Sequence, residues 1–171
     1  MTDSSDSPRR RDRFRRRPGK PRPGRKRGRS PYKPAKRVDS ARHLAWQALS
    51  AYERRTTFVG QTLNQLFQTQ SPDPSERRLA TELACGSVRR RLLLDAVLAA
   101  YSSRPIENLD FAVRLVLRIG IDQILFVDRI PPHAAVAETV NLCRTVGKEE
   151  AAGFVNGILR TLLRELPHAS K

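Results

Sequence analysis

Apolar side chains recur at helical spacing from residue 41 onward. The first set follows an i, i+3, i+4, i+7, i+8, i+11 order and consists of Ala41, Leu44, Ala45, Ala48, Leu49 and Tyr52. Asp39 or Ser40, just before it, can accept a hydrogen bond from the free amides of a first helical turn. The pattern therefore predicts an amphipathic helix that begins near residue 41.

Two further helical stretches are predicted between residues 57 and 101. The first covers about 57–67, and the segment QTQSPDP interrupts it. The second has a recognisable start, with Asp73 as N-cap, Pro74 at the first helical position and Glu76 placed to reach back to the cap. This stretch is expected to bend or divide near Gly86, where helix propensity falls.

The segment DFAVRLVLRIGIDQILFV is apolar around most of a helix circumference. A narrow polar stripe at four-residue spacing remains, formed by Asp110, Arg114, Arg118 and Asp122. We expect this stripe to face solvent, with i, i+4 ion pairs at each end. Two more helices are predicted over 132–146 and 148–166, and no segment alternates as a strand does. The fold class is therefore all-α, a compact bundle of six or seven helices.

The positive charge is concentrated at one end of the chain. The net charge is +16, and residues 1–37 account for +13 of it with 16 Lys/Arg against 3 Asp. This segment is rich in Arg, Pro and Gly and has too little apolar surface to offset the entropy of ordering. We interpret residues 1–37 as a disordered basic arm and 38–171 as the helical domain. Clustered arginines favour a nucleic-acid tether, with a solubilising tail or a targeting address as alternatives.

Other classes of function find little support in the sequence. No apolar run approaches the roughly 18 residues of a membrane span and no signal-peptide core is present, so a soluble, cytoplasmic protein is expected. Cys85 and Cys143 have no C-x-x-C spacing, which is typical of buried thiols in a reducing compartment.

The motif RIPPHAAVAETV places a histidine and a glutamate five residues apart. On a helix this separation turns His133 and Glu138 about 140° away from each other, so they do not share a catalytic or metal site. H-E-x-x-H is absent, and no metal site is predicted. We interpret the two prolines and His133 as a helix start.

Glu138 is surrounded by apolar residues at helical spacing, which suggests a buried carboxylate. Asn156 in the segment GFVNGILRTLLRE could donate its amide hydrogens to it, and Gly157 beside it would let the two helices approach closely. The alternative is that Asn156 faces water.

Three segments resemble the all-helical NusB family in order and spacing. They are ERRLATELACGSVRRRLLLDAVL, RLVLRIGIDQILFVDRIPPHAAVAETVNL and GFVNGILRTLLRE. The resemblance implies one of two settings. Free-standing NusB proteins bind the boxA element of ribosomal RNA leader transcripts with NusE, a small-subunit ribosomal protein, in transcription antitermination. The same domain begins RsmB-type methyltransferases of small-subunit ribosomal RNA, and the segment RIPPHAAVAETV is more similar to these.

The resemblance also implies where RNA binds. It maps the family's basic N-terminal segment and first helix start onto Lys36, Arg37, Arg42 and His43. Arg42 lies one turn from Trp46, so the two could hold an unpaired base, although ordinary core packing is the alternative for Trp46. Charge adds a dense patch of Arg89, Arg90 and Arg91, with Arg77 and Arg78 earlier on the same stretch; the alternative is a solvated charge run.

Catalysis is not expected. The chain has no G-x-G turn for S-adenosylmethionine, and neither cysteine follows a proline as the family's catalytic cysteine does. The leading hypothesis is a non-catalytic RNA-binding factor, without cofactor or metal, that acts with a NusE-type ribosomal protein. The alternative is the RNA-recruiting part of a split or truncated RsmB-like cytosine methyltransferase.

Overall fold

Helices account for nearly all of the regular structure in the computed structural model, which describes residues 40–166. In chain order they are α1 (Ala41–Glu53), α2 (Val59–Gln70), α3 (Pro74–Arg89), α4 (Arg91–Tyr101), α5 (Phe111–Phe126), α6 (Pro132–Thr145) and α7 (Ala152–Glu165). Short 3-10 turns at Ile106–Asn108 and Glu149–Ala151 precede α5 and α7. No strand occurs between residues 40 and 166, so the predicted all-α class is confirmed. The predicted arm lies outside the described residues.

Side-chain caps fix three of the helix starts. Ser40 accepts a hydrogen bond from the backbone amide of His43 at 3.3 Å. Asp73 accepts from the amides of Ser75 and Glu76 at 2.8 and 3.1 Å, as its position before Pro74 predicted. Asp110 caps α5 in the same way. These carboxylates and hydroxyls satisfy amides that a helix cannot satisfy itself.

The long third stretch divides at Arg90 rather than near Gly86. Gly86 lies inside α3, and Arg90 is the hinge between α3 and α4. A Cβ on Gly86 would stand 2.8 Å from a carboxylate oxygen of Asp122, so the absence of a side chain lets α3 approach α5. The glycine therefore serves packing, and the break falls one turn later.

Helix α5 is the centre of the bundle. It packs against α1, α3, α4, α6 and α7, and its residues from 115 to 123 are all buried. At Gly120 a Cβ would lie 2.7 Å from Cγ2 of Thr139, so α5 and α6 meet closely there. Gly157 has no such neighbour, and the prediction of close helix approach at that glycine is wrong.

A second expectation for α5 is also wrong. Arg118 and Asp122, predicted to face solvent, are 6% and 0% exposed. Each pairs with a residue from elsewhere in the bundle instead of with the other. The polar stripe of α5 is therefore directed partly into the protein, where it contacts the neighbouring helices.

Candidate nucleic-acid interface

The start of α1 is fixed to the first turn of α3. The carboxylate of Glu76 accepts a hydrogen bond from the backbone amide of Ala41, instead of reaching back to its own cap. A negative charge is favourable there because the amides at a helix N-terminus are positive. Lys36 and Arg37 lie outside the described residues, which begin at Ser40, directly before this contact.

Arg42, expected to contact RNA, is mostly used inside the protein. Its side chain is 12% exposed, its Nε donates to Oε1 of Gln123 at 2.7 Å, and its Nη1 lies 4.0 Å from Glu138. Burial lowers the pKa of Arg42, while Glu138 and Glu76 oppose that shift. The expectation of an open guanidinium for RNA is therefore corrected: Arg42 links α1 to α5 and α6.

Trp46 and His43 lie beside each other on α1. Their ring centroids are 6.2 Å apart with an interplanar angle of 27°. The indole Nε1 of Trp46 donates to the carbonyl of Ala112 at 3.3 Å, and the ring packs against the core. The structure thus favours the packing interpretation of Trp46, while half-buried His43 stays a candidate contact at the start of α1.

Arg77 and Arg78 of α3 contribute differently to the surface near this helix start. Arg77 donates from Nε to the carbonyl of Pro72 at 2.9 Å and lies 5.7 Å from the ring centroid of Phe67. Exposed Arg78 lines an open groove of about 600 Å³ that also contains Glu76 and Arg129. Arg129, the first residue of RIPPHAAVAETV, forms an ion pair with Glu82 of α3. This groove therefore adjoins the entry of the chain into α1.

The arginines at 89–91 do not form one patch. Arg89 is exposed, and Arg91 is 48% exposed and lies 3.7 Å from Glu53. Arg90 donates from Nε and Nη2 to one oxygen of Asp122 at 2.8 and 2.7 Å, and its guanidinium lies 4.2 Å from the ring centroid of Phe126. Successive helical residues point about 100° apart, so three adjacent arginines reach three environments. The prediction of a common RNA surface is corrected for Arg90.

A buried charge network was missed by the sequence analysis. Arg118 donates to both carboxylate oxygens of Asp95, at 2.7 and 2.8 Å, and to Glu53 at 3.0 Å. This bidentate contact joins α5 to α4 and α1. An arginine within an apolar helix was the available signal, but the sequence does not show which carboxylates it meets.

Glu138 and Asn156 do not form the predicted buried pair. The Glu138 side chain is 47% exposed and its nearest cation is Arg42, while Asn156 accepts a hydrogen bond from Arg160 one turn later at 3.0 Å. His133 is exposed in the first turn of α6, so its interpretation as part of a helix start is confirmed. The Glu138 carboxylate is therefore half-exposed and faces Arg42 of α1 at 4.0 Å.

Neither described cysteine forms a disulfide. Cys143 is buried, its thiol donates to the carbonyl of Lys148 at 3.0 Å, and burial raises its pKa. Cys85 is half-buried and free.

Within residues 40–166 no three His, Cys, Asp or Glu side chains come together as metal ligands would. None of the helices in that range is long and apolar enough to cross a membrane. The exposed arginines of this surface can contact anions through their guanidinium groups.

Comparison with known proteins gives consistent matches. The NusB family model matches residues 39–164. The probable ribosomal RNA small subunit methyltransferase B of Synechocystis is 33% identical over 125 residues, which is 73% of this chain and 28% of the relative. The chain therefore spans little more than a quarter of that relative's length.

Two further matches cover nearly the whole of the other protein. The transcription antitermination protein NusB of Aeromonas hydrophila is 28% identical over 134 residues, covering 78% of this chain and 97% of the relative. A solved structure of antitermination factors NusB and NusE in complex with double-stranded RNA superposes with a TM-score of 0.65 at 23% identity, covering 72% of this chain and 93% of the matched one. The fold of residues 40–166 is thus shared with these proteins.

Proposed function

Because this chain belongs to the NusB family, we propose that it is a non-catalytic RNA-binding protein of the NusB type. In this proposal it binds boxA-like ribosomal RNA in the cytoplasm with a NusE-type ribosomal protein, in antitermination or ribosomal RNA maturation. The family match over 39–164 is the observation that carries the proposal. The relative from Aeromonas, matched over almost its whole length, is itself named an antitermination protein.

The distribution of charge supports assigning RNA affinity and RNA positioning to different parts of the chain. Residues 1–37 hold +13 of the net charge and precede α1 in the chain, and the first amide of α1 donates to Glu76. Arg77 and Arg78 follow Glu76 directly on α3. We propose that the arm, with Lys36 and Arg37, supplies most of the affinity through phosphate contacts. In the helical domain, His43, Arg77, Arg78, Arg89 and Arg91 then supply the weaker contacts that position the RNA.

Removal of residues 1–36 tests this division. The plot of log K against log salt concentration should become flatter, by about 0.7 for each phosphate of a single-stranded RNA that the arm no longer neutralises. Preference for boxA over a scrambled RNA should persist, because the arm is nearly blind to sequence. Fluorescence anisotropy at several salt concentrations measures both quantities.

Two arginine variants of the full chain serve as a matched comparison. Arg78→Ala should weaken binding and lower the salt slope, whereas Arg164→Ala, at an exposed arginine of α7 outside the groove, should change neither. If the protein without residues 1–36 binds RNA with the affinity and salt slope of the full chain, the proposal that the arm supplies most of the affinity is contradicted.

A second candidate function follows from the methyltransferase relatives. The match to Synechocystis is higher in identity than the match to Aeromonas NusB, at 33% against 28%. The helical domain could then recruit small-subunit ribosomal RNA for a cytosine methyltransferase. A small-subunit RNA fragment that outcompetes boxA RNA would favour this function, and a boxA preference would favour the first.

A further inference from the structure

An open cavity of about 500 Å³ lies at the C-terminal end of α1. Its wall is formed by Tyr52 and Glu53 of α1, residues 55–58 of the following loop and Arg91 of α4. The 13 residues of α1 separate this cavity from Ala41 by about 20 Å, at 1.5 Å per residue. It is therefore distinct from the groove beside Glu76 and Arg78.

Phe58 presents its ring to solvent at the edge of this cavity. The side chain is 77% exposed, although hydrogen bonds hold the backbone around it. Phe58 is the N-cap residue of α2, and its carbonyl accepts a hydrogen bond from the amide of Thr62 at 3.1 Å. The hydroxyl of Thr56 donates to the carbonyl of Ala51 at 2.8 Å. An aromatic ring held outward by an ordered loop is a preformed surface for stacking.

The same cavity carries positive charge. Arg55 and Arg91 line it, and both are exposed. Glu53 is the one carboxylate of the lining, and it shares buried Arg118 with Asp95, so the two lining arginines still exceed the single lining carboxylate. Arg91 lies farther from Glu53, at 3.7 Å, which leaves its donors available to a ligand.

The backbone at Arg55 turns the chain from α1 into the loop that lines the cavity. Its φ is 56°, in the left-handed region that glycine adopts without cost after a helix end. The amides of Arg55 and Thr56 donate back to the carbonyls of Tyr52 and Ala51 at 2.9 and 3.0 Å, so this conformation ends α1 and orders the start of the loop. The conformation of Arg55 places its cationic side chain on the loop that also carries Phe58.

We propose that this cavity binds one nucleotide of a single-stranded RNA, with the base stacked on Phe58 and the phosphate held by Arg55 and Arg91. An exposed aromatic ring in a cavity that arginines also line can recognise an unpaired base through stacking and a phosphate through charge. A surface for a protein helix would need a longer apolar groove than one ring supplies. The inference rests on the proposed RNA binding and adds a second contact at the far end of α1.

Full-length variants test the stacking contact directly. Binding of a short unstructured RNA is measured by anisotropy at raised ionic strength, where phosphate contacts of the arm are suppressed. Phe58→Ala should weaken binding by about five-fold or more, the effect of removing one stacked base, while Phe58→Trp should retain it. Leu92→Ala is the matched control, because Leu92 is 79% exposed but does not line the cavity.

A second readout distinguishes stacking from mere charge. The emission of Phe58→Trp should be quenched by RNA and not by polyphosphate, and the wild-type chain, whose Trp46 is its only tryptophan, gives the background. If wild-type binds RNA but Phe58→Ala binds equally well, or if Leu92→Ala weakens binding as much, the cavity is not an RNA site. A wild-type chain that binds no RNA would overturn the proposed function as well.

Discussion

At the scale of single residues, the adjacent arginines at 89–91 differ in whether they stabilise the fold or are exposed for binding. Arg90 compensates Asp122, whose side chain is fully buried, whereas Arg89 is exposed to solvent. Three identical side chains therefore make different contributions to stability and to anion binding, and neighbouring variants can measure the difference.

Arg90→Ala should destabilise the protein strongly. It leaves the carboxylate of Asp122 buried without its cation, and breaking such a pair costs about 3–5 kcal/mol. Because Arg90 is itself 23% exposed, we expect the lower end of that range. Arg89→Ala should stay within about 0.5 kcal/mol of wild type, as surface substitutions do. Urea unfolding of the two variants provides the comparison, and equal destabilisation would contradict the assignment.

The deficit of Arg90→Ala should also depend on pH. Burial raises the pKa of Asp122 even with Arg90 present, and removing the cation should raise it further. A carboxyl whose pKa is higher in the folded than in the unfolded state destabilises the fold as pH rises from the unfolded value through the folded one. The difference in unfolding free energy from wild type should therefore shrink on acidification, which urea melts at several pH values would measure.

At the scale of elements, sequence periodicity predicted the helices because each depends mainly on neighbours three or four residues away. Caps such as Asp73 could also be predicted, since the capping side chain and the amide that it accepts from are close in sequence. The partner of Glu76 could not be predicted in this way, because the packing of α1 on α3 brings Ala41 to it. The polar stripe of α5 was misjudged for the same reason: Arg118 meets Asp95 and Glu53, which lie 23 and 65 residues away in the chain.

Two helical glycines should respond in opposite directions to alanine. Gly120→Ala would place a methyl group against Thr139 and Leu159, at 2.7 and 3.0 Å, and such overpacking costs about 1–3 kcal/mol. Gly157 is exposed with open space where a Cβ would stand, so alanine should stabilise α7 by about 0.5–1 kcal/mol through helix propensity. Thermal unfolding with a van't Hoff analysis measures both. A stabilised Gly120→Ala protein would show that α5 and α6 are not in close contact.

At the scale of the whole molecule, the sequence predicted the fold class better than the surface. An all-α bundle follows from apolar periodicity, which is a local property of each helix. The candidate site depends instead on which arginines stay exposed. Tertiary packing decides this, because it pairs some arginines with carboxylates inside the bundle. Arg42 and Arg90 were assigned to RNA on charge and resemblance, yet the structure uses them to join helices. The loop of Arg55 and Phe58 was overlooked, because exposure of an aromatic ring is not encoded in local spacing.

The central position of α5 also governs how the amide hydrogens of this protein exchange with solvent. Its residues 115–123 are buried against five other helices, so their amides should exchange only when the whole domain unfolds. Helix α2 buries only Val59 and Leu63, and its amides should exchange through local opening at much lower free energy. Hydrogen–deuterium exchange followed by mass spectrometry resolves the two segments. Equal protection of α2 and α5 would mean that the bundle opens as a single unit, whereas the expected gradient leaves a stable centre beneath a helix that can detach while α5 stays protected.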